Sequence, residues 1–181
     1  MGMTRELDSQ SAEARFRTVF DHLAAVTAYA RRRGSRDADA IAAEVMTIAW
    51  RRLADVPRDD PRPWLYATAR NLVLEEARRL ARASKALLRE SDAAVAGPEL
   101  DELDPALAQA LHSLSPVDQE ALLLIAWEDL TPNQAAKALG IKPVAFRVRL
   151  HRARKRLSAS LDESAAEGRS AQLAQLDVEG T

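Results

Sequence analysis

Almost half of the 181 residues are apolar, enough to build a buried core, and the length fits one medium domain or two small ones. The absence of cysteine excludes disulfides, thiolate metal sites and thiol nucleophiles, and no apolar run reaches the length of a signal peptide or a membrane span; a cytoplasmic location without membrane insertion is expected. The net charge of −1 conceals a segregation: residues 98–130 carry eight acids and no Lys or Arg, residues 131–157 eight Lys or Arg and no acid. That block points to a surface meeting a polyanion, the alternative being a solvated helical hairpin.

Ala and Leu dominate, aromatics are few and no strand-like alternation occurs, so the chain is expected to be all-helical. Phe16, Val19, Phe20, Leu23 and Val26 recur at three and four, predicting a first amphipathic helix that ends near Arg33-Gly34. A second helix, about Ala38 to Leu53, places Ile41, Val45 and Ile48 on one stripe broadened by Met46, Trp50 and Leu53, and leaves Glu44, Thr47 and Arg51 as its polar face. The segment ADVPRDDPRP has three prolines and no periodicity and reads as a loop before a long third helix, about Pro63 to Leu88. Two domains follow from this pattern, 11–88 and 104–161, joined by a flexible acidic linker at 89–103 and trailed by a polar tail, 162–181, expected to be disordered.

In the second domain Asp104-Pro105 and Ser115-Pro116 each read as a cap followed by proline at the first helical position. Thr131-Pro132-Asn133-Gln134 is a capping box opening a helix that stops at Gly140, and another helix starts near Pro143. A short helix, Gly140-Ile141-Lys142 and a basic helix have the spacing of a helix-turn-helix. Phe146, Leu150, Ala153 and Leu157 fall within about 60° on a helical wheel, so Val148, His151, Arg152 and Lys155 face the other way, flanked by Arg147 and Arg149. An apolar Val148 on a basic face suits a thymine methyl, with Arg147 and Arg152 reaching guanine edges. Arg154, Lys155, Arg156 and the helix start at Pro132 and Asn133 suit phosphates. The plainer reading makes Val148 a minor core residue and the arginines solubilising.

In the third helix Leu65, Ala69, Leu72 and Leu80 point inward and Trp64, Asn71, Arg78 and Arg82 line the opposite face. An aromatic, an amide and two guanidiniums suit a melted strand, although Trp64 fits a core position equally well.

DADAIAAEVMTIAWRRL followed by PWLYATARNLVLEEARRLAR resembles region 2 of the extracytoplasmic-function sigma factors, and LHSLSPVDQEALLLIAWEDLTPNQAAKALGIKPVAFRVRLHRARKRL resembles their region 4. The resemblance implies an alternative initiation factor that binds core RNA polymerase and reads −10 and −35 promoter elements. Its second helix would dock on the clamp coiled coil of the largest subunit through Ile41, Glu44, Val45, Thr47, Ile48 and Arg51, and its second domain would meet the flap. Asn71, with the loop from Asp55 to Arg62 that carries Arg58 and Asp59, would hold a flipped −10 base, while the helix carrying Arg147 to Arg152 would enter the −35 groove. The linker would thread toward the active-centre cleft, and an anti-sigma factor is the expected regulator. The chain departs from the family at Ala40 and Ala43, where an acid and a glutamine are usual, at Gln134, where glutamate is common, and in the KPVAF segment ahead of the reading helix.

A stand-alone helix-turn-helix regulator is the rival reading, weakened by the region 2-like half. For an enzyme, His22, His112 and His151 are scattered and no Gly-rich phosphate loop or metal-ligand pair is present, so no catalytic residue, cofactor or metal is expected.

Overall fold

The computed structural model describes the backbone of residues 2–87 and 103–179 and the side chains of residues 10–83 and 103–166; all of the expected linker except Leu103 lies outside them. Among the described residues there are eight α-helices and no strand: α1 Gly2–Phe20, α2 Leu23–Arg32, α3 Ala38–Arg51, α4 Arg62–Leu87, α5 Pro105–His112, α6 Pro116–Ala126, α7 Pro132–Leu139 and α8 Pro143–Glu179. Local chemistry sets most of the starts. Asp37 accepts a hydrogen bond from the Ala40 amide at 2.9 Å and caps α3. Asp104 accepts from Ala106 and Leu107, and Ser115 from Asp118, each with proline in the first turn where its missing N–H costs nothing.

The first predicted helix is two helices. His22 N–H bonds the Val19 carbonyl three residues back at 3.1 Å, tightening the chain into a turn between α1 and α2. Only Asp21 and His22 separate the helices, and Val19 and Val26 both still face the core, so the apolar period runs through the break unmarked. At the other end, α8 stays helical to Glu179, where a disordered tail was expected. The tail is rich in Ala, Glu, Gln and Leu and lacks proline, so propensity favours continuing the helix once it is started.

Helices α1–α4 pack around Val26, Tyr29, Val45, Ala49 and Leu65, and α5–α8 around Leu111, Leu124, Ala135, Phe146 and Leu150. Ile41 and Val45, expected at a polymerase contact, belong to the first of these cores, at 7% and 0% exposure. An amphipathic helix in a small bundle needs its apolar stripe for its own domain before it has any to offer a partner.

The two groups also close on each other. Helix α4 packs on α7, and the buried apolar residues form one continuous cluster. At this seam α2 presents Arg32 and Arg33 to two acids of the second group, Glu120 on α6 and Glu128 just beyond it. Arg33 Nε donates to Glu120 at 2.8 Å and Arg33 Nη1 to Glu128 at 3.1 Å, while Arg32 Nη2 reaches Glu128 at 2.8 Å. Tyr29 Oη donates to Glu120 at 2.8 Å, its ring carries the Arg33 guanidinium at 4.2 Å and stacks on Tyr66 at 5.1 Å. Burial opposes the charge on Arg33, but Glu120, together with Tyr29 and Glu128, more than offsets it and holds the guanidinium firmly protonated.

Burial and the neighbouring Glu120 push the Tyr29 hydroxyl well above its usual range, and burial with Glu128 pushes Tyr66 up to about 12. Each folded tyrosine holds a proton that the unfolded chain releases near 10.0, so the stabilisation is complete below pH 10; the part from Tyr66 is lost as pH rises through about 12, and that from Tyr29 at high pH as well. These are the only two tyrosines in the chain. An absorbance titration is therefore expected to show little tyrosinate between pH 10 and 11 in the native protein and roughly half or more in urea; coincident native and denatured curves would contradict this packing.

Candidate nucleic-acid interface

Helix α7 is held at both ends by its own residues. Thr131 and Gln134 form the expected capping box, and Gly140 ends the helix at φ +65°, with the Ile141 amide turning back to the Ala136 carbonyl at 3.0 Å. This αL exit turns the chain tightly into α8, whose residues Phe146, Leu150 and Ala153 are buried with Leu157 packed beside them. Arg147, Val148, His151, Arg152, Arg154 and Lys155 are exposed and Arg149 is half-buried. Val148 is 45% exposed amid these cations, so it is not a core residue.

Arg147 Nη2 donates to Asn133 Oδ1 at 3.1 Å, joining the reading helix to the first turn of α7, where Pro132 is half-buried and Asn133 exposed. Arg156, expected on a phosphate, instead donates to the Asp118 carboxylate. Asp118 is only 10% exposed and requires a counter-charge, which ties α8 to α6.

On α4, Asn71, Arg78 and Arg82 are exposed as expected, but Trp64 is half-buried against the core with the Arg52 guanidinium 6.0 Å above its ring. Part of Trp64 thus packs against the core while its ring also carries a cation. The loop before α4 is pinned from both sides. Arg15 on α1 donates to the Val56 carbonyl, and Asp60 accepts from the Arg62 amide at 3.1 Å and its Nε at 3.0 Å. Partial burial opposes the Asp60 charge, but these bonds outweigh it and hold the carboxyl below its ordinary range. Between the loop and α1 lies an open cleft of about 340 Å³ walled by Arg58 and Asp59 on one side and Arg15, Thr18 and His22 on the other. Asn71 is not among its walls, so the loop's cleft and that amide are separate features.

Sequence reasoning missed three contacts here: Arg15 to Val56, Arg147 to Asn133, and Gln134 Nε2 to the Asp60 carboxylate. The last links the loop before α4 to the helix-turn-helix. Gln134 stood out in the sequence as a cap and as a departure from the family's common glutamate, and neither pointed to Asp60. On α3, Glu44, Thr47 and Arg51 are exposed and Ile48 half-buried, while Trp50 is 46% exposed and meets Phe16 edge-on at 5.1 Å. No group of acids and histidines suited to a metal occurs among the described residues, and no helix there is long and apolar enough to cross a membrane.

Comparison with known proteins places both halves. The family described as Sigma-70 region 2 matches residues 19–83, and Sigma-70, region 4 matches residues 105–157. Among solved structures, CnrH in complex with the cytosolic domain of CnrY is similar over 88% of this chain and 97% of its own, at 28% identity and a TM-score of 0.59. The sigma factor RpoE in complex with the anti-sigma factor NepR, from Bartonella quintana, is similar in fold over 81% and 95%, at 22% identity and a TM-score of 0.60. No curated protein sequence matches the chain.

The turn between α7 and α8 depends on backbone conformation alone, since a Cβ on Gly140 would meet nothing within 4 Å. Gly140→Ala is expected to cost about 1–2 kcal/mol in urea denaturation, from the αL strain, and Thr131→Ala about 1 kcal/mol from the lost cap.

Proposed function

The chain belongs to the extracytoplasmic-function sigma factors, initiation factors that bind core RNA polymerase and direct it to promoters, and from that premise we propose how its surfaces divide the work. The exposed face of α8, Arg147, Val148, Arg149, His151, Arg152 and Lys155, reads the −35 duplex, with Pro132, Asn133 and Arg154 seating the backbone. Asn71, Arg78 and Arg82, with the exposed part of Trp64 beside the Arg52 guanidinium and with Arg58 and Asp59 at the loop cleft, take the melted −10 strand. Glu44, Thr47 and Arg51, bordered by Ile48, form the polymerase contact, without Ile41 and Val45. The protein acts in the cytoplasm and has no chemistry of its own, because polymerase supplies catalysis.

A single observation supports the reading most: α8 buries Phe146, Leu150 and Ala153 and turns a half-exposed valine outward among arginines. Water gives such a valine no favourable partner, whereas a thymine methyl does. An anti-sigma factor is the proposed regulator. The similar fold of RpoE, solved with its anti-sigma factor NepR, supports it. A plain helix-turn-helix regulator does not account for α3 and α4, and retention on immobilised core polymerase separates the two readings.

In reconstituted transcription, Arg147→Ala and Arg152→Ala are each expected to weaken binding of the −35 duplex by about 1–3 kcal/mol and to relax its sequence preference. Asn71→Ala is expected to lower open-complex yield and leave duplex binding intact. Full activity of the triple variant would overturn these assignments.

A further inference from the structure

A cavity of about 260 Å³ lies where α4 faces the start of α6, with Arg33 of α2 also in its wall. Its walls are of two kinds. Val73, Leu74, Val117 and Leu123 make an apolar side, on which Val117 is left 40% exposed. Arg70 and Arg78 supply cations. Arg33 is already matched by Glu120 and Glu128, and Glu120, the carboxylate in the wall, is filled by Arg33 and Tyr29. Among the described residues no acid pairs with Arg70 or Arg78, so two positive charges of the wall remain unmatched.

Gln119 adds an unpaired group to this charge. It is 9% exposed, it lines the same cavity, and its Nε2 is buried without an acceptor among the described residues. A buried amide donor left unpaired costs stability, and a leucine of similar size would remove that cost. Beside two unmatched guanidiniums, such a donor is what a bound anion satisfies. The first turn of α6, which brings Pro116 and Val117 into the wall, adds the positive end of a helix dipole.

The chemistry of the occupant follows from these walls. Its head is anionic, to answer Arg70, Arg78 and the Gln119 amide, and a planar carboxylate matches the two-pronged donor geometry of a guanidinium. Its body is apolar, to cover Val73, Leu74, Val117 and Leu123. At about 30 Å³ for each water-sized group the cavity holds roughly nine of them, the bulk of a small organic acid and too little for a nucleotide.

We propose that this cavity binds a small amphipathic carboxylate, with Arg70, Arg78 and Gln119 holding its head and Val73, Val117 and Leu123 covering its body. The site gives the chain a chemical input of its own, and it does not rest on the promoter reading above.

Binding is read from amide spectra of the isotope-labelled full chain. The probe is phenylacetate, with phenylacetamide as its neutral counterpart and inorganic phosphate as an anion without an apolar body. Phenylacetate is expected to saturate with a dissociation constant of about 1 mM or below, and to shift the Gln119 side-chain amide together with the backbone amides of Val73 and Val117. Phenylacetamide and phosphate are expected to bind at least about tenfold more weakly. Gln119→Leu is expected to melt no lower than the unmodified chain and to bind phenylacetate about tenfold more weakly. Arg70→Gln is expected to weaken binding by a similar factor at unchanged helicity. Equal binding of phosphate would leave only surface arginines, and equal binding of phenylacetamide only an apolar crevice; either overturns the site. So does an unmoved Gln119 amide, full affinity in either variant, or a Gln119→Leu chain that melts lower, since the amide would then have a structural partner. An acetylated tripeptide with glutamate between two leucines, saturating these signals where phenylacetate does not, would give the cavity to a protein partner and overturn the proposal as well.

Discussion

A guanidinium with almost no exposure can persist only where carboxylates surround it, and Arg33 therefore dictates how the two halves of this protein meet. Its Nε and Nη1 take one acid each, Arg32 takes a second oxygen of Glu128, and Tyr29 fills the remaining side of Glu120. Removing one member strands the others in a dry seam, at a cost of roughly 3–5 kcal/mol, although the whole set contributes little over an apolar replacement. Such a cluster specifies an arrangement more than it stabilises one. The stacking of Tyr29 on Tyr66 carries that specification into α4, and through α4 to the loop and the helix-turn-helix.

The seam is continuous with the apolar packing on either side of it, since the buried apolar residues form one cluster. Each half has apolar layers of its own, Val26, Val45 and Leu65 in one, Leu124, Phe146 and Leu150 in the other. The reading helix is supported by its own domain, through the Gly140 turn, the Asp118–Arg156 pair and the Asn133–Arg147 bond. The loop before α4 is likewise fixed by Arg15 and by the Asp60–Arg62 pair. Surfaces built in this way draw much of their shape from contacts inside their own half.

Charge is the common element of these features. The acidic block that ends at Leu130 supplies Glu120 and Glu128 to the seam and Asp118 to α8, so three of its acids are held in ion pairs, while Asp104 caps α5. The basic block that follows leaves Arg152, Arg154 and Lys155 exposed on the outer side of α8, beside Arg147, which is bonded to Asn133. Segregation along the chain thus becomes segregation in space, acids inward against α2 and cations outward toward a polyanion, and the near-zero net charge hides both.

Local rules made much of this legible from residues alone. Caps at Asp104, Ser115 and Thr131, the glycine at 140 and the inward stripe of Phe146, Leu150 and Ala153 all act over three or four residues, which is the range of a helical turn, and so they specify the helix-turn-helix and its outward face. The turn at Asp21-His22 was invisible because it preserves the apolar period, and the stripe of Ile41 and Val45 could not announce which partner it would bury against. Only the tertiary structure decided that Arg33 meets Glu128, 95 positions away, and that Asp60 meets Gln134. A charge has no period and no direction along a chain, so its partner is chosen by how the helices pack and by the cost of leaving it buried and unmatched.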